Sequence, residues 1–122
     1  MHADNWANKA KQMGYRSRAV FKLEEILNKV KVKKNFNNVL DIGSTPGGWS
    51  QYIIKNFPKS KVFAIDILDM EPIDGVLFFK ESIEEIDSIE PIVNLKGKFN
   101  LVISDIAPNL SGIDTIDNEN IY

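Results

Sequence analysis

One stretch limits the fold more than any other. Val39-Leu40-Asp41-Ile42 runs directly into Gly43-Ser44-Thr45-Pro46-Gly47-Gly48. The first four residues form a short apolar run, read as a buried strand. The next six are a loop, and its glycines let backbone N–H groups approach a ligand closely. A helix is expected from about Trp49 to Asn56, with Pro58 beyond its end. The start of such a helix favours an anion. A tight strand-to-helix turn with no ligand would need fewer glycines. A dinucleotide fingerprint, GxGxxG, fails because Thr45 stands at its second glycine.

The remaining pattern repeats this unit. Lys61 to Asp66 and Leu77-Phe78-Phe79 read as further buried strands, and Phe99 to Ser104 as a fourth. Glu81 to Leu95 is expected to be helical, with a break around Ser88 and Pro91 and an end at Gly97. Upstream, residues 4–13 fit a short polar helix that stops near Gly14. Ser17 would cap the next helix, whose apolar face is Val20, Leu23, Leu27 and Val30. Strands alternating with helices predict an α/β fold: a parallel sheet with helices on both faces. Right-handed crossovers then gather the loops after the strands on one edge, where ligands bind. Asp66, Ser82 and Asp105 follow the second, third and fourth strands and join the glycine loop there.

Asp66 lies 23 residues after Gly43 at a strand end. A carboxylate so placed accepts hydrogen bonds from ribose hydroxyls, which indicates an adenosine ligand without saying which. Asp105 faces the same crevice, and a turn-forming aspartate is an equal alternative on pattern alone. Lys22 falls off the apolar stripe of its helix, about 200° from Val20, and by itself reads as a surface lysine.

Charge is divided along the chain. Residues 1–38 carry nine Lys/Arg against three Asp/Glu, and residues 39–122 carry six against fourteen, although the net charge is only -2. A basic segment that binds phosphates is one reading, and an ordinary solvated helix is the other. There is no cysteine, and His2 is the one histidine, so no metal site is expected. No apolar run reaches the roughly 18 residues of a membrane span, and Met1 to Ala10 lacks a signal-peptide core. A soluble cytoplasmic protein is the expectation, or an organellar one if the source is a eukaryote, with a monomer as the default.

Four stretches together resemble the FtsJ/RrmJ family of methyltransferases. They are Tyr15 to Leu23 (YRSRAVFKL), Asp41 to Tyr52 (DIGSTPGGWSQY), Asp66 to Ile73 (DILDMEPI) and Ser104 to Gly112 (SDIAPNLSG), in the family's order and spacing. The resemblance implies a Rossmann-like methyltransferase fold that uses S-adenosyl-L-methionine. Its implied reaction methylates a ribose 2′-hydroxyl of RNA, most directly large-subunit ribosomal RNA. It implies that Gly43, Gly47, Gly48, Trp49, Asp66, Ser82 and Asp105 meet the cofactor. Ser82 stands where bacterial members carry an aspartate against the adenine. It also implies a Lys-Asp-Lys-Glu catalytic tetrad whose first two members match Lys22 and Asp105, and RNA contacts by Arg16, Arg18 and Lys22.

The family's second catalytic lysine and its glutamate lie downstream of the residues present here, and its sheet has seven strands where four are read. Residues 1–122 are therefore expected to be one incomplete domain, cut after the fourth strand. Within it, 1–38 would be the RNA-contacting segment and 39–122 the cofactor-binding half of the sheet. Three competitors stay open: methylation of transfer RNA, a non-catalytic RNA-binding domain of the same fold, and an NAD-linked oxidoreductase, against which Thr45 argues.

Overall fold

The computed structural model describes residues 3–30 and 36–104. Helices α1 (Ala3–Gln12) and α2 (Val20–Val30) precede strand β1 (Asn38–Ile42). Then come α3 (Gly48–Asn56), β2 (Lys61–Asp66), β3 (Val76–Lys80), a 3₁₀ segment (Ile83–Ser88), α4 (Glu90–Val93) and β4 (Leu101–Ser104). All pairings are parallel and the strand order is β3-β2-β1-β4. The chain thus steps outward from β1 on one side, then returns to place β4 on the other. The strand order reverses at β1, so the crevice at its C-terminal end is where a ligand is expected.

Alternation along the strands explains the two faces. Val39, Val62, Leu101 and Ile103 point to one side and pack with Leu23 and Leu27 of α2 and Trp49 and Ile53 of α3. Leu40, Ile42, Phe63, Ile65 and Val102 point to the other and meet Ile86, Ile89 and Ile92. Helical elements therefore cover both faces, as the sequence predicts. One polar group interrupts the first face. Asp41 is buried in β1 and accepts a 2.7 Å hydrogen bond from Ser50 Oγ of α3.

The structure departs from the sequence reading in three places. Ser17 does not cap α2 directly. Its Oγ accepts from Ala19 N at 3.0 Å, and the helix begins at Val20. The segment 81–95 is helical with the expected break, which falls at Ile89, but the piece before the break is 3₁₀ and not α. Ser82 caps a 3₁₀ turn by accepting from Glu84 N at 3.1 Å, Ile89 is extended, and Pro91 lies in the first turn of the four-residue α4. A proline is tolerated there because the first turn needs no N–H donor. Strand β4 begins at Leu101 and not at Phe99, whose ring turns inward against Phe63 at 5.6 Å, edge to face. Among the described residues no helix is long and apolar enough to cross a membrane.

Ile53 is fully buried between α3 and the sheet, whereas Leu77 on the outer strand β3 is 53% exposed. Ile53→Ala is expected to lower unfolding stability by about 2–5 kcal/mol through the cavity it leaves. Leu77→Ala is expected to stay within roughly 1 kcal/mol. Urea titrations of the intact protein, compared at unchanged slope, measure both.

Candidate functional site

The glycine loop folds back over the end of β2. Gly43 N and Ser44 N both donate to Ile65 O, at 2.8 and 3.2 Å. Thr45 N then donates to Asp66 Oδ2 at 2.8 Å, while Asp66 Oδ1 accepts from Leu68 N at 3.0 Å. The carboxylate thus joins the loop after β1 to the loop after β2. Each oxygen keeps further acceptor capacity, since an ionised carboxylate offers about four lone-pair sites. Gly47 sits at φ 116°, a left-handed conformation that favours glycine. Gly48 opens α3, where a Cβ would lie 3.1 Å from Ser17 Cβ and 3.3 Å from Val20 Cγ1. Its lack of a side chain lets the segment before α2 lie directly on the loop.

That segment is fastened at three points. Trp49 is buried, and its indole N–H donates to Ala19 O at 2.6 Å. Gln51 accepts from Arg16 N at 2.8 Å and donates to Gly14 O at 3.3 Å. The Arg16 guanidinium donates through Nη1 to Pro46 O and Glu71 O, at 3.0 and 2.6 Å, and through Nη2 to Pro72 O at 2.8 Å. The planar fork of arginine suits such divergent acceptors. Tyr52 packs beside Tyr15, and burial, with Glu24 and Tyr15 adding to it, raises its hydroxyl above the usual phenol range.

Three of the residues singled out from sequence share one cavity. Gly43, Asp66 and Ser82 line a space of about 250 Å³ at the ends of β1 and β2, together with Ile67, Glu81 and Ile83. Ile67 and Ile83 keep 65% and 38% of their surface exposed. A carboxylate beside apolar walls is the combination a nucleoside needs: acceptors for ribose hydroxyls and a dry surface for a flat base. Ser82 uses a lone pair as a cap but retains its O–H donor. Gly43 also borders a second, much smaller cavity of about 30 Å³, lined by Ser17, Ala19, Asp41, Gly48 and Trp49. The residues present therefore fit the adenosine half of adenosylmethionine, and the larger cavity carries that fit.

Lys22 and Arg18 lie elsewhere, in an open groove of about 810 Å³ between α1 and α2 that also takes in Trp6, Lys9, Phe21 and Lys29. Ala19 lines both this groove and the small cavity at the glycine loop. Arg16 is turned away from it, because its guanidinium is spent on carbonyls of the two ligand loops. Asp105 lies outside the described residues. Sequence reasoning did not find the Arg16 clasp or the walls at Ile67 and Ile83. The isoleucines could have been found, since each directly follows a flagged residue.

Two substitutions probe this architecture. At Gly47 a Cβ would fall 2.7 Å from Ile73 Cδ1, but that atom ends a flexible side chain and can swing away. The left-handed backbone is the stronger constraint, so Gly47→Ala should cost about 1–3 kcal/mol in thermal or urea denaturation. Arg16→Met removes the fork while keeping the stem. Faster amide exchange at Thr45 and Leu68, read by mass spectrometry, is the expected result. Unchanged exchange would show that Asp66 holds the loops alone.

Known proteins bear on what this cleft belongs to. The chain is 48% identical over 117 residues to the ribosomal RNA large subunit methyltransferase E of Vesicomyosocius okutanii, covering 93% of this chain and 56% of that protein. It is 41% identical over 121 residues to the enzyme of that name in Dechloromonas aromatica, covering 97% and 59%. The chain thus spans a little over half the length of these relatives. A crystal structure from Plasmodium falciparum, described as a ribosomal RNA methyltransferase, superimposes with a TM-score of 0.65 at 33% identity, covering 83% of this chain and 62% of that one. A protein from Lactococcus lactis described as a hemolysin shares the fold, at a TM-score of 0.62 and 22% identity, over 88% of this chain and 55% of that one. The sequence pattern of the FtsJ-like methyltransferases matches residues 15–121, the whole stretch from the Arg16 clasp through the ligand loops and beyond β4, and the chain belongs to that family.

Proposed function

We propose that the protein transfers a methyl group from adenosylmethionine to a ribose 2′-hydroxyl of large-subunit ribosomal RNA. One observation carries this reading: Ala19 lines both the basic groove and the small cavity at the glycine loop. A polyanion lying in the groove would then reach a cofactor whose adenosine is held by Gly43, Asp66 and Ser82. Relatives named for large-subunit ribosomal RNA methylation support the substrate.

Adenosylmethionine, when bound, supplies an electrophilic methyl on a positively charged sulfur. What this chain contributes is position. Asp66 would accept from the ribose of the cofactor, and it also holds the glycine loop in place through Thr45 N. Arg18 meets phosphates at the groove, and Arg16 serves RNA binding indirectly, by shaping the loops. A ribose hydroxyl is a weak nucleophile, so a nearby base must hold its proton. Lys22 holds the target nucleotide, and Asp105 orients the proton acceptor, which in the family pattern is a lysine downstream. Holding nucleophile and electrophile in line lowers the barrier by removing the entropic cost of bringing them together.

The test uses the intact protein, adenosylmethionine and large ribosomal subunits from a strain lacking the modification. Mass spectrometry of the digested RNA should show one new 2′-O-methyl nucleoside, lost in Asp105→Ala. Arg18→Ala should weaken RNA binding and reduce its salt slope by about 1. No methylation of ribosomal RNA, with methylation of transfer RNA instead, would move the substrate assignment. No methylation of either, with cofactor bound, would overturn the enzyme.

A further inference from the structure

Helix α1 is polar and mostly exposed, with Ala10 as its one buried residue among those described. Yet it carries a tryptophan. Trp6 keeps 38% of its surface open and leans on Phe21 of α2, with ring centroids 5.2 Å apart and planes tilted by 52°. Lys9, one turn along α1, holds its Nζ 5.6 Å from the Trp6 ring and 5.3 Å from the Phe21 ring. Both aromatics line the open groove, whose other charges include Arg18, Lys22 and Lys29 against Glu24 and Glu25. An aromatic pair half-open in a groove of predominantly positive charge is the arrangement that binds single-stranded nucleic acid. Cations follow the backbone, and a base stacks on the ring, whichever base it is.

We infer that Trp6, backed by Phe21, is a stacking platform for an unpaired nucleobase of the RNA that lies in the groove. The inference rests on the RNA reading above and adds to it a specific site and a preference for unpaired RNA. Lys9 sits in the angle between the rings and meets the phosphate of the stacked nucleotide. In a duplex the bases are already stacked on each other and their faces are closed to the protein, so paired RNA would use the cations and leave the indole untouched. The platform lies on the segment that also carries Lys22, so a base stacked there fixes the register of the strand past the glycine loop.

The alternative use of Trp6 is to cover Phe21, and substitutions separate the two. Trp6→Leu still covers the ring but offers no π face, whereas Trp6→Phe keeps a face. The probe is a short single-stranded oligoribonucleotide of mixed sequence, with its duplex as control, added to the intact protein. Stacking predicts that Trp6→Leu weakens single-strand affinity by roughly 5- to 150-fold, that Trp6→Phe recovers most of the loss, and that the duplex binds all three proteins alike. The single strand should also quench indole fluorescence in the wild type, and the Trp6→Phe protein should lack that part of the quenching. Equal single-strand affinity for the wild type and Trp6→Leu overturns the platform. If Trp6→Leu does not fold, the fluorescence decides: no Trp6-dependent quenching overturns it. Wild-type protein that binds neither RNA would overturn both the platform and the RNA reading. Wild-type protein that methylates RNA while Trp6→Leu does so equally well overturns the platform alone.

Discussion

A carboxylate in the middle of a parallel sheet must have partners, because an isolated buried charge is too costly to keep. Asp41 is 1% exposed in β1, on the face covered by α2 and α3, and Ser50 Oγ meets it from α3 at 2.7 Å. Ser50 is itself fully buried, so the bond is shielded from competing water. It fixes the first turn of α3 against the last residues of β1. The residues between the two elements then have little freedom. Gly43 turns under the end of β2, Gly47 takes the left-handed backbone, and Gly48 lets the N-terminal segment close down on the helix. The ligand loop is shaped by what its two ends are bolted to.

The second level of order joins loops to one another. Asp66 gathers the amides of Thr45 and Leu68, and Arg16 gathers the carbonyls of Pro46, Glu71 and Pro72. An anion collects donors and a cation collects acceptors, so the two residues serve backbone groups of opposite polarity in the same pair of loops. Loops built this way present fixed dipoles to a ligand without needing to reorganise. Because Arg16 belongs to the segment leading into α2, the groove and the cleft at Asp66 share one backbone frame. A shift of one would be felt by the other.

Much of this is legible in the sequence alone. The strand, glycine loop and helix around residues 39–56 follow from composition and breakers, short apolar runs locate the other strands, and a period-3.6 pattern locates α2. Those signals report which face a residue presents, and burial follows from the face. They do not report partners. Val39-Leu40-Asp41-Ile42 reads as an apolar run, and nothing in it says that Asp41 is answered by Ser50 nine positions on. Arg16 and Arg18 look alike in sequence, yet one bonds carbonyls thirty to fifty-six positions away and the other lines the groove. The segment after β3 defeats the helical pattern because a serine cap and a proline each start a turn of their own. Such short-range hydrogen bonding competes with a continuous helix.

The charge division acquires a meaning in the fold that it lacks in the sequence. A net charge of -2 would ordinarily disfavour a polyanionic partner. Here α2, with Lys22 and Lys29, lies over one face of the sheet, while Glu84, Glu85, Asp87 and Glu90 sit on the elements that cover the other. Each layer of packing adds about 10 Å between them, and at physiological salt a charge is largely screened beyond about 8 Å. A polyanion approaching α1 and α2 would meet Lys9, Arg18, Lys22 and Lys29, and only Glu24 and Glu25 among the acidic residues would share that groove. Local potential, and not the sum over the chain, decides which side of such a protein a nucleic acid can use.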